Sequence, residues 1–340
     1  MANEHAKCRL ISALLEVDQV GPAKALDAVR WLPTLPQDPD ALSSAIEEIA
    51  PRLKRAFAVS PAAARLAFDA ADRMLEDCAR MEIHVAVPDT GPFDPAVWRI
   101  PKAPARLFYR CSLRGACDQP GVAVIGTRDP SDFGAKSATR IAKRCAEQRL
   151  TVVSGLAIGC DTAGHRGAVQ AGGLTIAVLA HGLHTVYPAS NRGLASEIIE
   201  LGGMLVSEYP PNVELRPNQL VERDRLQAGL SRGVIVIETD IEGGTMHTVK
   251  FAREQGRLLG CLNHPEEHRH HSKCRGNQKL IAEGTAKPLG TPDELLAFLD
   301  AVAQPSDPQA PGVVAAASEP PKDLFGDVES PKTKKSRRKN

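Results

Sequence analysis

Three short runs of β-branched residues, each closed by a turn of small residues, constrain this chain more than any other feature. The first is Gly121-Val122-Ala123-Val124-Ile125, followed by Gly126-Thr127-Arg128. The second is Thr151-Val152-Val153, followed by Ser154-Gly155-Leu156-Ala157-Ile158-Gly159-Cys160-Asp161. The third is Gly233-Val234-Ile235-Val236-Ile237-Glu238, with Gly243-Gly244-Thr245 just beyond. Unbroken apolar runs of this kind form strands covered on both faces. Further strand signals at Thr175–Leu179, Met204–Glu208 and Arg257–Cys261 alternate with helical stretches. That alternation, from Gly121 to about Pro265, predicts an α/β fold with a doubly wound parallel sheet. In such sheets ligands bind beyond the carboxyl ends of the strands, where backbone N–H groups and helix N-termini receive anions. The ligand class is therefore phosphate-bearing molecules.

Composition narrows the partners. Aromatic residues make up only 4% of the chain, so the core is aliphatic and base stacking has few platforms. The formal net charge is +1, yet Lys332, Lys334, Lys335, Arg337, Arg338 and Lys339 all fall within the last ten residues. The remainder is mildly acidic, and a surface for DNA must be a local patch. The eight cysteines form no C-x-x-C pair, and no signal peptide or long apolar stretch is evident. Reduced thiols in a cytoplasmic protein that does not engage the membrane are expected. Cys111 and Cys117 do not have zinc-knuckle spacing.

Three segments are expected. Residues 1–78 read as a helical N-terminal domain, in which Val20-Gly21-Pro22-Ala23 is either a helix-hairpin-helix (or SAM-like) turn or an ordinary helical hairpin. Pro61 opens an alanine-rich helix reaching about Met81. Residues 79–300 hold the sheet, entered through a Pro-punctuated stretch to 118 and closed by two short helices after 276. Residues 301–340 form a disordered Pro/Ala-rich linker and basic tail.

The chemistry-bearing residues cluster at the turns. Gly126-Thr127-Arg128 is neither G-x-G-x-x-G nor a P-loop, but Arg128 can hold a phosphate bidentately. In Ser154-Gly155-x-Ala157-x-Gly159-x-Asp161, small residues leave room for a ligand, and Asp161 can cap the helix carrying His165. A catalytic His165–Asp161 pair and a structural hydrogen bond between them are both open, the second favoured by their placement on one helix. Ser154 lacks a nucleophile elbow, and no activated nucleophile is found. Arg223 and Arg225 flank Asp224 as anion clamps, the other reading being a solvated charge run. Gly243-Gly244-Thr245 opens a helix carrying Lys250, a second anion site. His264, His268, His270, His271 and Cys274 share a loop that is expected to be solvated, without metal.

Several of these stretches together resemble the DNA-processing protein DprA (Smf) family. They are Val124–Arg128, Ser154–Ala168, Val186-Tyr187-Pro188-Ala189-Ser190-Asn191-Arg192, Ala228–Ser231, Glu254–Arg257 and Gly276–Gly284, in one order from about Ile83 to Leu299. The resemblance implies an extended Rossmann fold that binds single-stranded DNA, acts as a homodimer, protects incoming strands and helps load a RecA-type recombinase in natural transformation. It implies no catalysis and no cofactor. It points to Gly126, Thr127, Arg128, Ser154, Gly155, Ala157, Arg223, Arg225, Gly244, Thr245 and Lys250 as the DNA pocket. The chain departs from the family at Leu220-Val221-Glu222-Arg223-Asp224-Arg225, where Phe-Pro-x-Arg-Asn-Arg is usual, and at Gly243-Gly244-Thr245, where Ser-Gly-Ser is usual. No winged-helix pattern follows residue 300. The alternative is a nucleotide-binding sensor or nucleotide-cleaving enzyme on a related Rossmann fold, with Glu208 or Glu238 as acid/base. A third reading is an adaptor docking through Asp323-Leu324-Phe325-Gly326.

Overall fold

The computed structural model describes residues 2–111 and 115–304. The expected linker begins later than residue 301, because 301–303 are the last turn of a helix with Val302 buried; residues 305–340, with the Asp323–Gly326 segment, lie outside the described residues. Nine strands make one sheet: β1 (His84–Ala86), β2 (Leu107–Cys111), β3 (Gly121–Ile125), β4 (Thr151–Ser154), β5 (Thr175–Leu179), β6 (Met204–Ser207), β7 (Gly233–Val236), β8 (Leu258–Leu262) and β9 (Lys287–Leu289). Their order is β1-β2-β6-β5-β4-β3-β7-β8-β9. From β6 through β9 every pairing is parallel. The chain winds outward from β3 to β6, then returns to lay β7 on the other side of β3. The crevice between the ends of β3 and β7 is thus the point where winding reverses, the place where such sheets bind ligands.

Twelve helices accompany the sheet among the described residues. Four precede it: α1 (Ala2–Glu16), α2 (Pro22–Trp31), α3 (Pro39–Ile49) and α4 (Pro61–Arg80). The others are α5 (Asp132–Glu147), α6 (Cys160–Gln170), α7 (Arg192–Glu200), α8 (Pro217–Gly229), α9 (Thr245–Glu254), α10 (Glu266–Arg269), α11 (Arg275–Ala282) and α12 (Pro292–Ala303). Alternation along β3 shows why both faces are needed. Ala123 and Ile125 pack with Leu226 of α8 and Val249 of α9, whereas Val122 and Val124 pack with Ile141 of α5 and Phe298 of α12.

The sheet is mixed, not wholly parallel. β2 runs antiparallel to β6, and β1 antiparallel to β2, inside the stretch read as a Pro-punctuated lead-in. β9 lies between the two closing helices. β1 and β9 are three residues each, too short to display a period. Leu289 O accepts from Asn263 N beside β8, so strand alternation turns Pro288 toward the outer edge.

Helices α1–α4 close over an apolar core that includes Leu10, Leu14, Leu42, Ile46 and Phe68. Asp38 and Ser60 accept from Ala41 N and Ala63 N, and prolines fill the first positions of α3 and α4. Gly21 caps α2 without a side-chain bond, and α1 packs chiefly on α4. Lys7 Nζ ties the helices to the sheet region through Pro88 O (2.7 Å) and Asp89 (2.9 Å). Among the described residues no helix is long and apolar enough to cross a membrane.

Candidate functional site

A cavity of about 470 Å³ opens at the β3/β7 crevice. Its walls come from five places: the turn after β3, the turn after β4, the stretch from β7 into α9, one face of α8, and Lys273 in the loop before α11. The turns are laced together by their backbones. Thr127 N donates to Glu238 O (2.8 Å), and Cys160 N donates to Thr127 O (3.1 Å). Gly159 makes this approach possible: its φ is +85°, and a Cβ there would lie 2.5 Å from Thr127 O. Gly155 has a different task. A Cβ at this position would lie 1.8 Å from Arg223 Nη1, so the space it leaves is filled by the arginine itself.

The charges divide into committed and free. Arg223 is buried; its Nη1 donates to Val178 O (2.6 Å), and its Nε lies 3.2 Å from Asp224 Oδ1. Asp161 accepts from Gly155 N (3.2 Å) and Ala157 N (3.4 Å). Burial pushes the Asp224 carboxyl up to about 7; Arg223 restrains that rise and the neighbouring Asp161 adds to it. Burial also raises Asp161, against the pull of Arg223. Both shifts favour the protonated acids, so the wall carries less negative charge than its composition implies. Arg128, at the rim, is exposed, and neither it nor Lys273 donates a side-chain hydrogen bond among the described residues. Gly243, Gly244 and Thr245 bring the N-terminus of α9 to the same cavity, adding a positive dipole end.

The cavity brings together Gly126, Thr127, Arg128, Ala157, Arg223, Gly244 and Thr245 from the expected set. Gly155 lines an adjoining recess of about 80 Å³, shared with Arg128 and Arg223 and bordered by Tyr187 and Ile158. Tyr187 and Ile158 are 56% and 51% exposed, so an aromatic face does stand beside the cavity. Ser154 lies below the surface, its hydroxyl donating to Val124 O (2.7 Å). Arg225 turns away: its Nη2 donates to both carboxylate oxygens of Glu208 (2.7 and 2.6 Å). Lys250 is exposed on α9, outside the lining. Sequence reading passed over Gln227, Thr239, His247 and Lys273, which also line the cavity. The i, i+3, i+4, i+7 spacing of Pro217, Leu220, Val221 and Asp224 on α8 was an available signal for that wall.

Other expectations need correction. Asp161 and His165 do not pair: His165 Nδ1 bonds Thr175 Oγ1 (2.7 Å), and burial drives the imidazole down to about 3. Gly159, not Asp161, is the N-cap of α6; the Asp161 carboxylate serves loop amides instead. Glu208 is occupied by Arg225, and Glu238 accepts from Ser131 N (2.8 Å) and Ser131 Oγ (2.5 Å). Neither carboxylate lines the cavity. The histidine-rich loop is not solvated throughout, since His264 and Cys274 are 3% and 0% exposed.

Fold and cavity together define an open α/β protein with a polar crevice at the point where its sheet reverses. The DNA recombination-mediator protein A family model matches residues 84–300, from β1 into α12, and the chain belongs to that family. It is 35% identical to Protein Smf of Synechocystis sp. over 234 residues, 68% of this chain and 57% of that protein. It is 42% identical to DNA processing protein DprA of Streptococcus pneumoniae over 155 residues, 46% of this chain and 54% of that one. The chain thus spans about half the length of the curated relatives it matches. The solved structure of DprA from Streptococcus pneumoniae superposes with a TM-score of 0.69 at 27% identity, covering 84% of this chain and 96% of that one. A structure describing the single-stranded DNA binding mode of DNA processing protein A from Helicobacter pylori shares the fold, with a TM-score of 0.55 at 24% identity over 65% of this chain and 95% of that one.

Proposed function

We propose that this protein binds single-stranded DNA without sequence preference, holding phosphates in the β3/β7 crevice. The observation that carries the reading is a pair of cations without side-chain hydrogen bonds among the described residues, Arg128 and Lys273, which line one cavity with the N-terminus of α9. Backbone N–H groups of Arg128, Gly244 and Thr245 supply further donors for phosphate oxygens, those of Thr127 and Gly243 being held by Glu238 O and Asp240 O. Tyr187 at the rim offers a base a stacking face, so contact is not confined to the backbone. The proposed site comprises Gly126, Thr127, Arg128, Ala157, Arg223, Gly244, Thr245 and Lys273. Ser154, Gly155 and Arg225 support it from beneath.

Family membership and the Helicobacter pylori likeness support this ligand class. Protection of incoming strands, delivery to a RecA-type recombinase and action as a homodimer in natural transformation belong to the same proposal. The nucleotide-cleaving alternative has lost its two candidate carboxylates to Arg225 and to Ser131 and His264.

The test is a titration of the protein with single-stranded DNA, duplex DNA and a mononucleotide at several salt concentrations. It is repeated on a chain ending at Gln304, which removes the basic tail. Tighter binding of single strands, weakening steeply with salt and surviving the truncation, is the expected result. Salt-insensitive preference for the mononucleotide, or loss of all DNA binding with the tail, overturns the reading.

A further inference from the structure

The stretch after β7, the stretch after β8 and the approach to α11 meet next to the cavity, and each delivers one metal-ligating side chain. Glu238, His264 and Cys274 are 0%, 3% and 0% exposed. Their donor atoms all lie within 4.8 Å of one another. We propose that these three residues form a binding site for a divalent cation of the zinc type.

Donor chemistry selects that class. One thiol, one imidazole and one carboxylate suit zinc and its neighbours, whereas magnesium and calcium take oxygen cages. Three protein donors leave the fourth corner of a tetrahedron to a solvent molecule. The supporting shell is already built. Ser131 holds both Glu238 oxygens through its backbone N–H and its hydroxyl, and Arg269 Nε donates to His264 O (2.8 Å). Such outer contacts orient ligands in metal sites. His264 Nε2 lies 3.3 Å from Glu238 Oε1, a separation that a bridging cation can take over from the hydrogen bond.

The present partner of the Cys274 thiol is one that a cation can replace. Cys274 directs Sγ toward His268 O (3.4 Å). A divalent cation would neutralise the Glu238 carboxylate and stabilise the Cys274 thiolate, whose proton leaves to solvent. The site would fasten the 263–274 loop to the ends of β7 and β8. Lys273, next to Cys274, lines the anion cavity, so the cation would fix one of its cations in place.

The experiment uses the full chain, stripped with a chelator and titrated with Zn²⁺ and, separately, Co²⁺. One equivalent of Zn²⁺ is expected to remain after dialysis, and Co²⁺ is expected to give a thiolate-to-metal charge-transfer band. Cys274→Ser and His264→Gln should each abolish the band or shift it and weaken Zn²⁺ by more than about 100-fold, the upper range for disturbing a ligand's partner. A double change of the exposed His270 and His271 to Ala should leave both readouts unaltered. Wild-type protein without a thiolate band overturns the proposal whether or not the variants fold. So does Zn²⁺ binding that survives Cys274→Ser and disappears with His270 and His271, which marks chelation by the loop surface.

Discussion

The two walls of the cavity handle charge in opposite ways. On the β3 side and in the loop before α11, Arg128 and Lys273 point into the cavity without a hydrogen-bonding partner. On the α8 side, Arg223, Asp224 and Arg225 are tied into the fold: Arg223 to Val178 O and Asp224, Arg225 to Glu208. In the sequence Arg223 and Arg225 look like one clamp. Two residues apart on a helix they face different directions, and a residue of scaffold and a residue of wall result. The lesson is that basic residues near an anion site divide by what already satisfies them, and only the unsatisfied ones have binding energy to give.

The contrast breaks most visibly at Arg225. Arg225→Ala leaves the largely buried Glu208 without its bidentate partner and with only the more distant charge of Arg106, and loss of about 3 kcal/mol of folding stability is expected. Thermal and urea unfolding measure this, with DNA affinity of the folded fraction retained. A variant as stable as its parent that binds DNA poorly would make the α8 wall a contact surface instead.

Arg128→Ala tests the other wall. Removing a charge-assisted phosphate contact is expected to cost about 1.5–3 kcal/mol of single-stranded DNA binding, roughly ten- to a hundredfold. The log–log salt slope should shrink by about 0.7. Stability should stay within about 0.5 kcal/mol, because the side chain is exposed and acts on Asp224 only through its charge. Equal loss of affinity at every salt concentration would point to a neutral contact and remove the electrostatic argument.

Asp224 sharpens the comparison, since it is the committed wall's adjustable charge. Its folded value, about 7, stands above the ordinary 3.8. Between these values the folded chain holds a proton that the unfolded chain has released, so its contribution to stability is complete below 3.8 and falls away as pH rises through 7. Asp224→Asn escapes that fall. Its melting temperature should gain on the parent between pH 5 and pH 8, and its DNA affinity should exceed the parent's by about three- to tenfold at pH 8, converging at pH 5. Parallel pH profiles for the two proteins would remove Asp224 from the anion's surroundings. The smallest effect belongs to Lys250→Ala. Outside the lining and in water, it acts only through a screened field, and a change below about twofold is expected at 0.15 M salt.

The central strands were legible because burial on both faces forces long apolar runs, and Val122–Ile125 or Val234–Val236 can be little else. The turns after them were legible from Gly126, Gly155 and Gly159 for the same reason: the backbone comes close there. What Gly155 makes room for was not legible, since Arg223 arrives from 68 positions away. Lys273 and Gln227 were missed because their placement depends on the loop into α11 and on the facing of α8. The edge strands escaped because three residues carry no period. The burial of His264 and Cys274 was hidden by the exposed histidines between them, and their acidic neighbour Glu238 lies far back in the sequence, beyond the end of β7.

Pro288 has a consequence for how copies of this chain can meet. The outward position of β9 is the one its neighbour in another molecule would need as a donor, and proline has no N–H to give. At the opposite border β1 offers only three residues, His84–Ala86. A sheet blunted at both borders resists growth by strand addition, the route by which open α/β sheets polymerise. Association through helical faces or side chains is left open, while fibre-like stacking, edge on edge, is disfavoured at the level of the backbone.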